Sequence, residues 1–300
     1  MGAAAGERPF VSVIVPVYND AENLGVCLEA LGRQTYPCRH FEVVVVDNGS
    51  DDDVEGATRR FARVRLVREL RPGSYAARNA GIRASRGDLF AFTDSDCVPA
   101  DDWLERGVAT WLERPSAGLL GGRIVVFPKR AGRPTPVEIH QAVSAFDQRR
   151  NVERERFAVT ANLFTSRSAI ERVGAFDDRL RSGGDKEWGR RVHACGLEQR
   201  FAEAACVRHP SPHTLRELAA KYRRVAGGLF QLAGGRTRRE LRLAAVFLAA
   251  PLAKLRAYWS HPGLASPRDR LVFLAVEVAL AGVRLAELVR LELGGAPRRR

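Results

Sequence analysis

Residues 93–96 read Thr-Asp-Ser-Asp and follow the apolar run 89–92. Two carboxylates one residue apart, where a strand reaches the surface, admit two readings. Asp side chains can close a polar turn by bonding their own backbone. Alternatively, Asp94 and Asp96 can both address one hard divalent cation, which prefers carboxylate oxygens. The triplet alone does not separate these, so the elements that place it matter. A second carboxylate of interest, Asp185, follows Gly183-Gly184 in "SGGDKEWGRRVHACG" (182–196), where a glycine-rich stretch runs into a helix. Its chemistry is either that of a helix cap or that of a general base, which one well-placed carboxylate can supply.

The stretches "VSVIVPVY" (11–18) and "FEVVVV" (41–46) are short, β-branched and bounded by polar residues, as buried parallel strands are. Between them lies a helical pattern, with Asn19 and Glu22 spaced for a capping box. "VRLVREL" (64–70), a helix near 76–84 and "DLFAFT" (88–93) repeat the alternation. That order predicts an α/β fold with a mostly parallel sheet flanked by helices. Ligands of such sheets bind beyond the carboxyl ends of the strands. The ends at Pro16–Asn19, Asp47–Ser50 and Asp94–Asp96 then open on one edge, which favours the metal reading of the triplet. "GLLGGRIVVF" (118–127) reads as a further strand, 128–156 as a polar Arg-rich segment without clear periodicity at its start, and 157–177 as a strand and short helix.

The chain has 300 residues, 45% hydrophobic and 28% charged, enough for one large or two modest domains. Five cysteines without a C-x-x-C pair disfavour a disulfide framework and a structural zinc site, and suit a reducing compartment. No secretory leader is read at the N-terminus, so the expected location is cytoplasmic. The net charge of +13 is uneven: residues 211–300 hold 17 Lys+Arg against 6 Asp+Glu, while 1–210 hold 31 against 29. The basic surface is therefore a separate region. The expected organisation is a tail over 1–9, a catalytic domain over 10–215 and a basic, apolar helical region over 216–300.

The motifs, in order, resemble those of family 2 glycosyltransferases of the GT-A fold. "VSVIVPVYNDAENL" resembles the family's first strand and nucleotide loop, and "FEVVVVDNGSDD" its second strand and base-binding turn. "AARNAGIRASRGDLFAFTDSD" resembles the segment entering its D-x-D motif, and "VGAFDDRLRSGGDKEWGRRVHACG" its acceptor-side loop. The resemblance spans about residues 10–210 and implies transfer of a sugar from a nucleotide-diphosphate-sugar donor with inversion. It implies that Pro16 and Tyr18 line the nucleoside pocket and that Asp47 and Asn48 hold base or ribose. Asp94 would face the ribose and diphosphate, Asp96 would bind Mn²⁺ or Mg²⁺, and Asp185 would be the base. Two positions depart from the pattern: Gly184 stands where the family often has an acidic residue, and Asn48 where many members have Asp. The Q-x-x-R-W motif of processive synthases is absent, which points to transfer of a single sugar.

Other residues carry weaker expectations. Glu187 is a plausible neighbour for Asp185, and Trp188 is a candidate acceptor contact, whereas Trp103 and Trp111 suit a core. Arg190 and Arg191 can meet a diphosphate or face solvent. Either His209 or His213 could complete a metal shell. Asn79, beside Arg78, can be structural or a donor contact.

In the C-terminal third, 241–259 and 270–293 are apolar helical stretches, but neither supplies the roughly 20 apolar residues of a spanning helix. Arg270, Glu277 and Arg284 share one face, leaving an apolar face opposite. That face can pack on a core or lie on an anionic membrane, aided by Lys221, Arg223, Arg224, Arg236, Arg238 and Arg239. An enzyme of this kind would be peripheral at the cytoplasmic face, with a cell-envelope glycan or lipid-linked acceptor. Three alternatives stand beside it. A nucleotidyltransferase would want a Gly-rich basic loop after the first strand, which "VPVYNDAEN" lacks. Nucleic-acid binding is disfavoured by basic residues set among long apolar helices. A non-catalytic nucleotide-sugar-binding module would keep the fold without turnover.

Overall fold

The β-branched runs at the N-terminus become the centre of a sheet. In the computed structural model, which describes residues 8–232, 252–253 and 255–296, β1 (Val11–Val17) is buried along its whole length. After α1 (Ala21–Gly32), β2 (Phe41–Asp47) is buried in the same way. The chain continues through α2 (Val54–Arg59), β3 (Val64–Arg68), α3 (Ser74–Ala84), β4 (Leu89–Phe92), β5 (Val98–Pro99), α4 (Trp103–Leu112) and β6 (Leu119–Phe127). It then forms α5 (Pro136–Ser144), α6 (Gln148–Arg150), β7 (Leu163–Ser166), α7 (Arg167–Val173), α8 (Gly184–Ala194), β8 (Gln199–Pro210), α9 (Leu215–Leu232) and α10 (Pro267–Glu292).

One eight-stranded sheet has the order β3-β2-β1-β4-β7-β6-β8-β5. The β3-β2-β1-β4 half is parallel. β7 runs antiparallel to β4 and to β6, and β5 is antiparallel to β8. The carboxyl ends of β1, β2 and β4 therefore open on one edge.

Pro16 sits in a central strand, where the missing amide usually costs a ladder bond. Here the Ile14 carbonyl accepts from Thr93, so Ile14 faces β4, and Pro16, two residues on, faces the same way. Registered pairing with β4 stops at Ile14 and Phe92, so the missing amide of Pro16 falls beyond the paired segment. α3 is built for close approach. A Cβ on Gly81 would fall 2.5 Å from Ile14 Cγ2, so only a residue without one lets the helix lie this near β1. That brings Tyr75 and Arg78 under the open edge.

The described residues of Met1–Val125, Asp147–Arg179 and Gly184–His209 form one compact unit, and those of Val126–Phe146, Leu180–Gly183 and Pro210–Arg300 another. In the second unit, α5, α9 and α10 pack through Val137, Leu218, Val276 and Leu280, and Val143 of α5 and Phe273 of α10 pack with Leu264 of the short turn Pro262–Leu264. The segment 128–156, polar and without clear periodicity at its start, contains α5, whose Thr135 and Glu138 form a complete capping box around Pro136. The capping box expected at Asn19 and Glu22 does not form. Asn19 takes a left-handed φ of 50°, and Ala21 N–H donates instead to Asp52 Oδ2 at 2.8 Å.

The charged stripe of α10 turns inward. Glu277 is 0% exposed and its Oε1 lies 2.7 Å from His140 Nε2, while the Arg284 side chain is 12% exposed. The apolar residues Leu271 (68% exposed) and Val278 (56%) face outward on the same helix. Among the described residues, no helix is long and apolar enough to cross a membrane. The expected helix over 241–259 lies mostly outside the described residues, as do Arg236, Arg238, Arg239, Arg298, Arg299 and Arg300 and residues 1–7 of the tail.

Candidate active site

The β4 strand delivers Asp94 and Asp96 to the open edge, and a second strand delivers a histidine to them. Val98 of β5 pairs with Arg208 of β8 in antiparallel register. The next residue of β8, His209, is thereby carried back toward Asp96, and its Nε2 lies 3.6 Å from Asp96 Oδ1. Ligand atoms of Asp94, Asp96, Cys97 and His209 all lie within 4.8 Å of one another. A magnesium-sized ion holds oxygens at about 2.1 Å, so ligands on opposite sides of it stand about 4.2 Å apart. Small side-chain movements close that difference. Burial, reinforced by the charges of Asp94 and Asp96, pushes the Cys97 thiol well above its usual range, so it is the poorest donor of the four. Two carboxylates and an imidazole remain, a set that suits Mn²⁺ or Mg²⁺ better than a thiolate-seeking metal. His213 belongs to the second unit, where its Nδ1 is 3.0 Å from Glu138 Oε1.

Behind Asp94 lies a buried cation. Arg78 Nη2 donates to Asp94 Oδ1, with side-chain exposures of 5% and 31% respectively. The Arg78 guanidinium also sits 5.6 Å from the centre of the Tyr75 ring. Tyr75 donates its hydroxyl to Asp185 Oδ1 at 3.3 Å, and the Lys186 amide donates to the same oxygen at 2.9 Å. Asp185 lies in the first turn of α8, one residue inside the helix and not at its cap. Its carboxyl is held above the ordinary Asp range, chiefly by burial and further by the charge of Asp94. The Lys186 amide, Arg78 and the Tyr75 hydroxyl oppose that rise without cancelling it. Such a carboxylate is a stronger proton acceptor than one in water.

The expected nucleotide-binding residues divide. Pro16 is buried in β1, and Tyr18 is half-buried just beyond the strand's end. Asp47 closes the turn after β2 by accepting from the Ser50 amide at 2.9 Å. Asn48, the other residue expected at base or ribose, stands just past β2. It is buried, its amide nitrogen donates to the Glu69 and Arg71 carbonyls at 2.8 Å each, and its oxygen accepts from Gly73 N–H at 2.8 Å. Asn48 therefore fastens the loop that enters α3.

The other residues singled out in the sequence have defined surroundings. Trp188 is fully buried, donates to the Gly174 carbonyl at 2.8 Å and packs on Phe176, which removes it as an acceptor contact. Glu187 is engaged by Arg191 at 2.7 and 3.0 Å and does not bond Asp185. Arg190 is exposed. Asn79 is structural, exchanging two hydrogen bonds with the Phe176 backbone. Tyr75 is the residue that the sequence pattern left unremarked. Its one signal was the absence of a side chain at Gly184, because a Cβ there would lie 2.7 Å from Tyr75 Cε2.

The family described as Glycosyl transferase family 2 matches residues 12–174, more than half of the chain and all four parallel strands. The chain belongs to glycosyl transferase family 2. This family 2 enzyme is 39% identical to glycosyltransferase AglE of Haloferax volcanii over 229 residues, which cover 75% of this chain and 74% of that protein. It is 28% identical to the pre-mycofactocin glycosyltransferase of Mycobacterium tuberculosis over 290 residues, covering 93% of this chain but only 58% of that protein. Its fold matches mannosyltransferase PcManGT from Pyrobaculum calidifontis, solved in complex with GDP-Man and Mn²⁺, with a TM-score of 0.65. That match has 22% identity and covers 96% of this chain and 88% of the other. The GT-A architecture is thus shared, with the cluster of Asp94, Asp96 and His209 on the sheet edge where such sheets bind ligands.

Proposed function

We propose that this enzyme transfers a single sugar from a nucleotide-diphosphate-sugar to an acceptor hydroxyl with inversion, assisted by Mn²⁺ or Mg²⁺. The observation that carries the reading is the gathering of Asp94, Asp96 and His209 at the end of β4, together with a desolvated Asp185 linked to Asp94 through Tyr75 and Arg78. Asp96 and His209 would hold the cation, with Asp94 turned toward it and toward the donor. A bound divalent ion supplies charge stabilisation to a departing diphosphate. Arg78 fixes the Asp94 carboxylate from behind, so that it meets the donor without reorganising. Asp185, held by two donors on Oδ1, takes the proton of the acceptor hydroxyl as that oxygen attacks. Attack from the side opposite the leaving group inverts the anomeric centre. Asp47 would meet the base or ribose beside Pro16 and Tyr18. The GDP-Man and Mn²⁺ of the structural neighbour support trying guanosine diphosphate first.

The test is a titration of UDP, GDP and CMP with and without Mn²⁺, on the wild type and on Asp96→Ala. Binding of one diphosphate that needs the metal and is lost in the variant is the expected result. Metal-independent binding, or none, would leave a non-catalytic binding module as the better account.

The acceptor in this reading is a glycan or a lipid-linked sugar, met at an anionic membrane surface. The support is the outward apolar row of α10, Leu271, Val278 and Val289, within a third of the chain that carries most of the net positive charge. Co-sedimentation with anionic vesicles should be strong for the wild type and weak for Leu271→Glu/Val278→Glu. Equal binding by both would remove the membrane from the account.

A further inference from the structure

We propose that Tyr75 is the positioning residue for Asp185, and that Gly184 is the position that admits it. The inference rests on the reading of Asp185 as the base, and its test separates the two. Tyr75 is buried in the first turn of α3, its ring 5.8 Å from that of Phe176. Gly184 immediately precedes Asp185. A Cβ at Gly184 would stand 2.7, 2.8 and 2.9 Å from Cε2, Cδ2 and Cζ of Tyr75, distances that real contacts do not reach. A rigid buried ring cannot swing aside as a long flexible side chain can, so the ring and a side chain at 184 exclude each other.

The consequence is chemical as well as steric. With the ring seated over Gly184, its hydroxyl reaches Asp185 Oδ1 at 3.3 Å across 110 residues of sequence. The Lys186 amide donates to that same oxygen, so both donors fix one edge of the carboxylate and leave Oδ2 as the proton-accepting oxygen. The same ring lies against the Arg78 guanidinium that grips Asp94. Tyr75 thus sets the base and stands beside the donor-side carboxylate, without itself touching the reacting atoms.

Four substitutions test this. Tyr75→Phe keeps the ring and removes only the hydroxyl. Loss of a hydrogen bond to a charged group predicts a fall in kcat of about 10- to 100-fold, with donor KM and Mn²⁺-dependent nucleotide binding unchanged. The hydroxyl favours the ionised carboxylate, so the acid limb of the kcat profile should move to higher pH in Tyr75→Phe. Gly184→Ala should lower kcat in the wild type by displacing the ring, and should add little in a Tyr75→Ala background, where the ring is gone. Additive effects, or a Tyr75→Phe enzyme with wild-type kcat and pH profile beside an inactive Asp185→Asn, would overturn the positioning role and leave the base intact. Wild-type turnover by Asp185→Asn would remove the base itself.

Discussion

Asp185→Asn should move activity and stability in opposite directions. The folded protein holds this carboxyl above the ordinary Asp range because burial disfavours the charged form. The folded state therefore keeps a proton that the unfolded chain has released. By linkage, stability is highest below the unfolded value, falls as pH climbs through the raised one, and stays lowered above it. The amide of Asn carries no charge to desolvate and is close to the same shape, so the variant should lose that pH-dependent decline. At pH 7 its melting temperature should equal or exceed the wild type's. The Arg78 attraction and the bonds from Tyr75 and Lys186 work against this, but they do not outweigh burial in the folded protein. Turnover should collapse, since a positioned general base contributes about 10²–10⁴-fold, or about 3–5 kcal/mol of barrier. Sugar transfer at pH 7 and thermal melts from pH 4 to 8 read both quantities. A variant that is both less stable and still active would refute the reasoning, because Asp185 would then be a structural carboxylate in a favourable site.

Three further outcomes follow from other contacts. Mn²⁺ should raise the melting temperature of the wild type, by about 2.7 kcal/mol of stability at a hundredfold excess over Kd, and Asp96→Asn or His209→Gln should lose most of that gain; an unchanged shift in both would place the ion elsewhere. Asn48→Ala should cost about 2–3 kcal/mol in urea unfolding by freeing the Glu69 and Arg71 carbonyls and the Gly73 amide, whereas a stable variant with weakened nucleotide binding would restore Asn48 as a base contact. Glu277→Leu should cost about 3–5 kcal/mol by removing the carboxylate that faces both Arg284 and buried His140, and adding His140→Leu should recover part of it; no recovery would mean the His140–Glu277 pair is not coupled.

The parallel half of the sheet was legible because both faces of β1 and β2 are buried, which imposes unbroken β-branched runs. From parallel strands the shared edge follows by topology alone, and Asp94 and Asp96 with it. β8 was not legible: it is rich in alanine, and only its partners make it a strand. Without β8, His209 was one of two histidines near a loop, with nothing to choose between them. Asn48 and Trp188 show a different limit. Sequence reveals that an amide or an indole is present but not which neighbours have already used its hydrogen bonds and surface. α10 shows a third limit. A charged stripe opposite an apolar one has two orientations, and the buried partner His140 lies 137 residues away. α5, by contrast, was legible in principle, since Thr135-Pro136 with Glu138 is a helix-start signature.

Net charge also misleads about the site itself. The chain carries +13, yet Arg78 is the buried guanidinium that Asp94 and Asp185 share, and Asp96 stands beside Asp94. With all three ionised, three carboxylates face that one guanidinium among these residues. A nucleotide diphosphate brought to these residues alone would add to that surplus in a partly desolvated place, where like charges repel far more than in water. A divalent cation at Asp96 and His209 cancels the surplus and gives the diphosphate a partner. Donor binding should therefore be coupled to the metal and not merely improved by it. Attraction between surface charges and an anionic membrane is screened at physiological salt, whereas partly buried pairs are screened much less. Raising ionic strength should accordingly weaken vesicle binding while leaving metal-dependent nucleotide affinity nearly unchanged. A parallel loss of both would mean that the basic region, and not the carboxylate cluster, recruits the donor.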